Sequence, residues 1–145
     1  MTTVFKAVTI GNTVSVPYYE CVVPAGFPSP ADDFVDTKLN LNDLMIPHPN
    51  STFFVKVQGD SMLQAGINSG DMLVVDRSLN AKPDDVVLAV VDGEFTVKYL
   101  RSRNGKIFLQ PANPRYPVIP IQGETEFQVW GVVTHSVHTF HNRLN

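Results

Sequence analysis

Cysteine is almost missing from this sequence: Cys21 stands alone among 145 residues. A single thiol can form no disulfide within the chain and no cysteine cluster for zinc, so it reads as a buried or incidental thiol rather than a reactive one. Long apolar runs are also lacking. No stretch approaches the roughly 18 apolar residues a membrane span needs, so no membrane partner is expected. The opening segment MTTVFKAVTIGNTVSVPYYE has no compact apolar block of the kind that marks a secretory signal, which leaves the cytoplasm as the expected location. Positive charge is scarce: 11 Lys and Arg against 14 Asp and Glu give a net charge of −3. That balance argues against strong direct binding of nucleic acid through a basic surface. There is no internal repeat.

What is present suits one soluble domain with an arm, large enough to fold without disulfides or metals. Residues 1–24 hold β-branched side chains without a firm period. They run into VVPAGFPSPADD, whose prolines and glycine exclude a helix interior or a central strand and point to an exposed, extended arm or linker. Ser29-Pro30 followed by Asp32 and Asp33 predicts a short helix over about 30–38, and NDLMI a second helical turn over about 42–46. From Thr52 the pattern changes to strands over 52–57, 72–76, 85–91, 94–100, 106–110 and 126–137, rich in Val, Phe, Tyr and Ile. Asp92-Gly93 marks a tight two-residue hairpin and Asn104-Gly105 another. The expected fold class is a compact, mostly β, mostly antiparallel domain with one or two short helices at its start.

Two residues raise a question of chemistry. Ser61 follows Gly59-Asp60 where an apolar strand gives way to a turn, as either a turn cap or a nucleophile. A serine attacks at neutral pH only if a base takes its proton. Histidine is the usual base, but His48 sits in a turn-like IPHPN. His135, His138 and His141 bunch at the C-terminal end, where a strand would turn 135 and 138 to opposite faces. They read as tail or surface groups, and no metal site is expected. Lysine can serve instead if burial leaves it neutral. Alternation in GEFTVKYL puts Phe95, Val97 and Tyr99 on one face and Glu94, Thr96 and Lys98 on the other, so the pattern alone makes Lys98 an outward-facing strand lysine.

The same residues carry a resemblance. GDSM at 59–62, GINSGDMLVVD at 66–76 and VDGEFTVKYL at 91–100 resemble the catalytic core of the LexA/UmuD-type self-cleaving serine peptidases, peptidase family S24. The upstream AGFPSPADDFVD and LNLNDLMIPHP resemble the UmuD branch. Several motifs in the right order over most of the chain make the likeness specific. It implies a LexA/UmuD-type β domain over 26–145 and an N-terminal arm, 1–25, removed by self-cleavage at Ala25-Gly26. It also implies Ser61 as nucleophile and Lys98 as general base, with no cofactor. The face of Lys98 would then be a cleft rather than a solvated surface. Backbone N–H groups near Asp60 and Ser61 would stabilise the oxyanion, and Thr96, on the face of Lys98, is a candidate to orient its amine. The Ala-Gly pair follows LexA, where UmuD often has Cys-Gly. Ala suits a narrow pocket, and Gly lets the backbone approach closely.

The biology implied is the bacterial SOS response. A RecA nucleoprotein filament stimulates the cut, and the trimmed homodimer joins a UmuC-type Y-family polymerase subunit in error-prone translesion synthesis. Three other readings compete. A LexA-like repressor needs a helix-turn-helix ahead of the cleavage site, which 25 residues without helical period do not supply. A type I signal peptidase, also a serine-lysine enzyme, needs a membrane anchor. A non-catalytic binding module would have Ser61 and Lys98 in structural roles only.

Overall fold

The computed structural model describes residues 3–6, 14–19, 25–26 and 36–141. Cys21, most of the arm and most of the helix expected over 30–38 lie outside the described residues. The described residues group into two compact units, one within 1–8 and 48–145 and the other within 9–47.

The larger unit carries strands β1 (Thr3–Lys6), β4 (Thr52–Lys56), β5 (Met72–Asp76), β6 (Val86–Val91), β7 (Glu94–Arg103), β8 (Lys106–Gln110), β9 (Ile119–Pro120) and β10 (Phe127–Val137). Among the described residues they form one eight-stranded sheet in the order β1-β4-β5-β10-β6-β7-β8-β9. Every neighbouring pair is antiparallel. The last strand lies in the middle, so β10 joins the early strands to the later meander. It does so with two irregularities in its pairing, between Val129 and Gly131 and between Val133 and His135. At the first of these, a Cβ on Gly131 would come within 2.5 Å of Val75 Cγ1. Glycine is what lets β10 lie so close to β5 there.

Both predicted hairpins form. Asp92 and Gly93 have φ of 47° and 82°, Asn104 and Gly105 of 52° and 76°. Two successive left-handed residues are the signature of a type I′ turn, whose twist matches that of the strands it joins.

The core lies on both sides of β6. Leu88 packs with Val55, Met62, Ile67, Leu73, Val75, Val97 and Ala112, while Val87 and Ala89 pack with Leu100 and Leu109. Successive residues of a strand face opposite ways, so a strand buried at Val87, Leu88 and Ala89 alike is covered on both faces. Its continuous apolar run VVLAVV is the sequence form of that burial.

The smaller unit pairs β2 (Val16–Tyr19) with β3 (Asp36–Leu39), antiparallel, and adds helix α1 (Leu41–Met45). The Asn40 side chain caps α1 by accepting from the Asn42 N–H at 2.9 Å. α1 is the second expected helical turn, shifted by one residue. The first needs correction at its end, because residues 36–38 are strand. The Ser-Pro cap and early acids are local helix signals, whereas pairing with a strand some twenty residues earlier is a tertiary choice that overrides them.

Candidate active site

Ser61 is held by a turn fixed at both ends. After β4, the Val57 N–H donates to the Asp71 carbonyl at 2.9 Å and the Val57 carbonyl accepts from Gly70 at 2.7 Å. Gly59, at φ +106°, turns the chain in a conformation that side chains resist, and its N–H donates to Ser69 Oγ at 3.0 Å. Beyond Ser61, Met62 and Ile67 are buried at 2% and 4% exposure and anchor a short 3-10 turn, Leu63–Ala65, that ends at left-handed Gly66. The nucleophile candidate thus stands between a glycine hinge and a core methionine.

Lys98 comes from β7, paired with Val87 of β6 as Thr96 is paired with Ala89. Val87 and Ala89 are fully buried, and Lys98 itself is only 8% exposed. The outward-facing lysine expected from alternation is therefore wrong. Alternation assumes that one face of the sheet is wet, and β6 is covered on both. The Lys98 amine lies 3.0 Å from Ser61 Oγ, 2.7 Å from Thr96 Oγ1 and 3.0 Å from the Val97 carbonyl. None of these partners carries a charge. Burial therefore acts on the ammonium uncompensated and lowers its pKa from the usual lysine range. A lysine that more readily gives up its proton, in hydrogen-bond reach of a serine hydroxyl, has the geometry of a general base and its nucleophile.

Asp60, beside the serine, is gripped from a distant loop. Its carbonyl accepts from Asn113 Nδ2 at 2.9 Å and from the Leu63 N–H at 3.3 Å, and its carboxylate accepts from the Tyr116 hydroxyl. The hydrogen bond to that carboxylate, together with its charge, raises the pKa of the Tyr116 phenol. Asn113 and Tyr116 lie 53 and 56 residues from Asp60 along the chain. Sequence reading missed both, because a loop asparagine and a loop tyrosine have no local signal when their partner is that remote.

Two buried carboxylates mark the ends of β5, Asp71 just before it and Asp76 as its last residue. Asp71 accepts from the Asn68 N–H at 2.8 Å, from Ser136 at 3.2 Å and from the ring of His138. Asp76 is bonded to Ser51, to Ser78 through both side chain and N–H, and to the His48 ring at 2.6 Å. Burial alone would raise both acids. For Asp71 the Asn68 N–H, His138 and Ser136 overcome it, and for Asp76 Ser78, His48 and Ser51 do so, holding each below the usual carboxylate range. His48 and His138, read from sequence as turn and tail groups, are thus partners of buried acids.

Ala25 and Gly26, in the other unit, sit in a bend with both residues exposed. Ser61, Lys98, Thr96 and Asp60 come together in the larger unit.

Comparison with known proteins gives the site its relatives. Residues 17–134 match the Peptidase S24-like family. The chain is 42% identical over 135 residues to protein MucA of Salmonella typhimurium, covering 92% of each chain. It is 47% identical over 115 residues to protein SamA of the same species, covering 79% of each. To LexA repressor 1 of Geobacter sulfurreducens it is 38% identical over 113 residues, which span 77% of this chain and 55% of the repressor.

Proposed function

This chain belongs to the Peptidase S24-like family as a UmuD-type member, and on that premise we propose that it is a serine endopeptidase that cuts its own Ala25-Gly26 bond. The observation that carries this function is the 3.0 Å contact between the buried Lys98 amine and Ser61 Oγ.

Neutral Lys98 takes the Ser61 proton as Oγ attacks the Ala25 carbonyl carbon. The carbonyl oxygen becomes an oxyanion, met by backbone N–H groups at Asp60 and Ser61. As the tetrahedral intermediate collapses, the Lys98 ammonium returns its proton to the Gly26 nitrogen, and the fragment that begins with Gly26 leaves. Water, deprotonated by the same amine, then hydrolyses the Ala25 ester and frees Ser61. Thr96 Oγ1, 2.7 Å from the amine, holds the lone pair toward the serine.

Since the arm and Ser61 are on one chain, the effective concentration of substrate is high, and restraint must come from the protonated fraction of Lys98 or from the arm's position. A RecA filament on single-stranded DNA relieves that restraint in the SOS response. The trimmed homodimer then serves a UmuC-type polymerase in the cytoplasm as its accessory subunit.

The test is to incubate the purified protein at alkaline pH, and separately with RecA, ATP and single-stranded DNA, and to weigh the fragments. Scission between Ala25 and Gly26 that is lost in both Ser61→Ala and Lys98→Ala is the expected result. A chain that stays whole under every condition, or is cut equally in the two variants, overturns the proposal.

A further inference from the structure

The clamp on Asp60 has a consequence for the residue after it. Across a trans peptide bond the carbonyl and the next N–H point in opposite directions, and the described residues include no cis peptide. The Asp60 carbonyl accepts from Asn113 Nδ2 and from Leu63, so both of its lone pairs are in use. Turning the Asp60-Ser61 plane over would strand the side-chain amide of Asn113, a residue only 8% exposed.

The clamp is itself braced. Asn113 Oδ1 accepts from the Arg115 N–H at 3.0 Å, the Tyr116 N–H donates to the Asn113 carbonyl at 3.1 Å, and the Gln64 N–H donates to the Ala112 carbonyl at 2.8 Å. Tyr116 adds a second grip through the Asp60 carboxylate. One contact fixes the main chain of Asp60 and the other its side chain, both from one loop.

We propose that Asn113 and Tyr116 are positioning residues of this peptidase, which lock the Asp60-Ser61 peptide so that the Ser61 N–H is presented to the substrate carbonyl as an oxyanion donor. This rests on the serine-lysine chemistry above. The two residues touch neither Lys98 nor Ser61 Oγ in the contacts described, so they act on the height of the barrier and not on the protonation of the base.

The experiment follows first-order self-cleavage against pH in the full chain and in Asn113→Leu and Tyr116→Phe. Asn113→Leu keeps roughly the shape and adds no charge, but removes the donor to the Asp60 carbonyl together with the acceptor for Arg115. Its limiting rate at high pH falls about ten- to a hundredfold, short of the roughly 100- to 1000-fold loss that follows outright removal of an oxyanion donor. Tyr116→Phe lowers the limiting rate about fivefold, as expected for one hydrogen bond. In both variants the inflection of the rate-pH curve stays where the parent chain has it.

Limiting rates equal to the parent's in both variants overturn the proposal. So does an inflection displaced toward that of an ordinary lysine, since that would mean general loosening around Lys98. Should Asn113→Leu fail to fold, Tyr116→Phe, at an exposed position, decides alone. A parent chain that does not cleave at all refutes the serine-lysine reading itself and is recognised before any variant is compared.

Discussion

Lys98 links the site to stability, and the link has a definite sign. Its folded pKa lies below that of a lysine in water because the amine is buried among uncharged partners. Below the folded pKa both the folded and unfolded chains hold the proton, and the folded chain bears the full cost of a desolvated ammonium. Between the folded pKa and the unfolded value of 10.5, the folded chain has released the proton and the unfolded chain has not, so stability rises with pH.

Lys98→Met keeps the length of the side chain and removes the charge. Both chains carry Ser61→Ala so that neither is cut. All other titrating groups are common to the two chains, so the difference between them isolates Lys98. Urea unfolding at a series of pH values then reads this difference directly. The lysine chain gains on the methionine chain by up to about 1.4 kcal/mol per pH unit within that window, with no change below it. Each kcal/mol corresponds to roughly 2–4 °C in Tm for a domain of this size. A difference that stays constant from pH 7 to 10 would mean that Lys98 titrates as it does in the unfolded chain, and the desolvation argument would be refuted.

Three further outcomes test the packing around the site. Asp76→Asn should cost about 2–3 kcal/mol in urea unfolding near neutrality, because Ser78, His48 and Ser51 all bind the charged form. Since the folded pKa is held below 3.8, the Asp76 contribution is complete above about pH 4 and is lost in stronger acid, where the two chains should converge; a difference that persists there counts against the assignment. Gly131→Ala should destabilise by about 1–3 kcal/mol, because the new Cβ would meet the fully buried Val75 at 2.5 Å; an unchanged Tm would show that β10 can shift freely. Gly93→Val should cost about 1–3 kcal/mol, since a β-branched residue is strained at φ +82°; equal midpoints in urea would contradict the type I′ turn.

The strands β4 to β8 and β10 were legible because their signals are local, whereas β1, β2, β3 and β9 were not expected. β5 and β8 have the bounds that their β-branched runs and flanking turn residues predict, and the Asp-Gly and Asn-Gly pairs announced their hairpins. What local pattern could not supply was the environment of Lys98. GEFTVKYL alternates as a half-exposed strand does, and only its pairing with VVLAVV, buried on both faces, turns Lys98 inward. That neighbour's unbroken apolar run was visible and is the signal that could have corrected the expectation. The family resemblance did point to a cleft there, through the motifs around Ser61 and Lys98.

The contacts that were invisible join distant segments. His48 meets Asp76 across 28 residues and His138 meets Asp71 across 67. Asn113 and Tyr116 reach Asp60 over similar separations. In each case a polar residue in a loop meets a partner that only the strand order brings near, and no period or turn rule encodes such a meeting.

The most direct test of the account is the rate of Ala25-Gly26 scission in the unmodified chain, followed by intact mass from pH 7 to 10. If neutral Lys98 activates Ser61, the rate rises about tenfold per pH unit and levels off at the Lys98 pKa, below 10.5. A rate independent of pH across that range would contradict it.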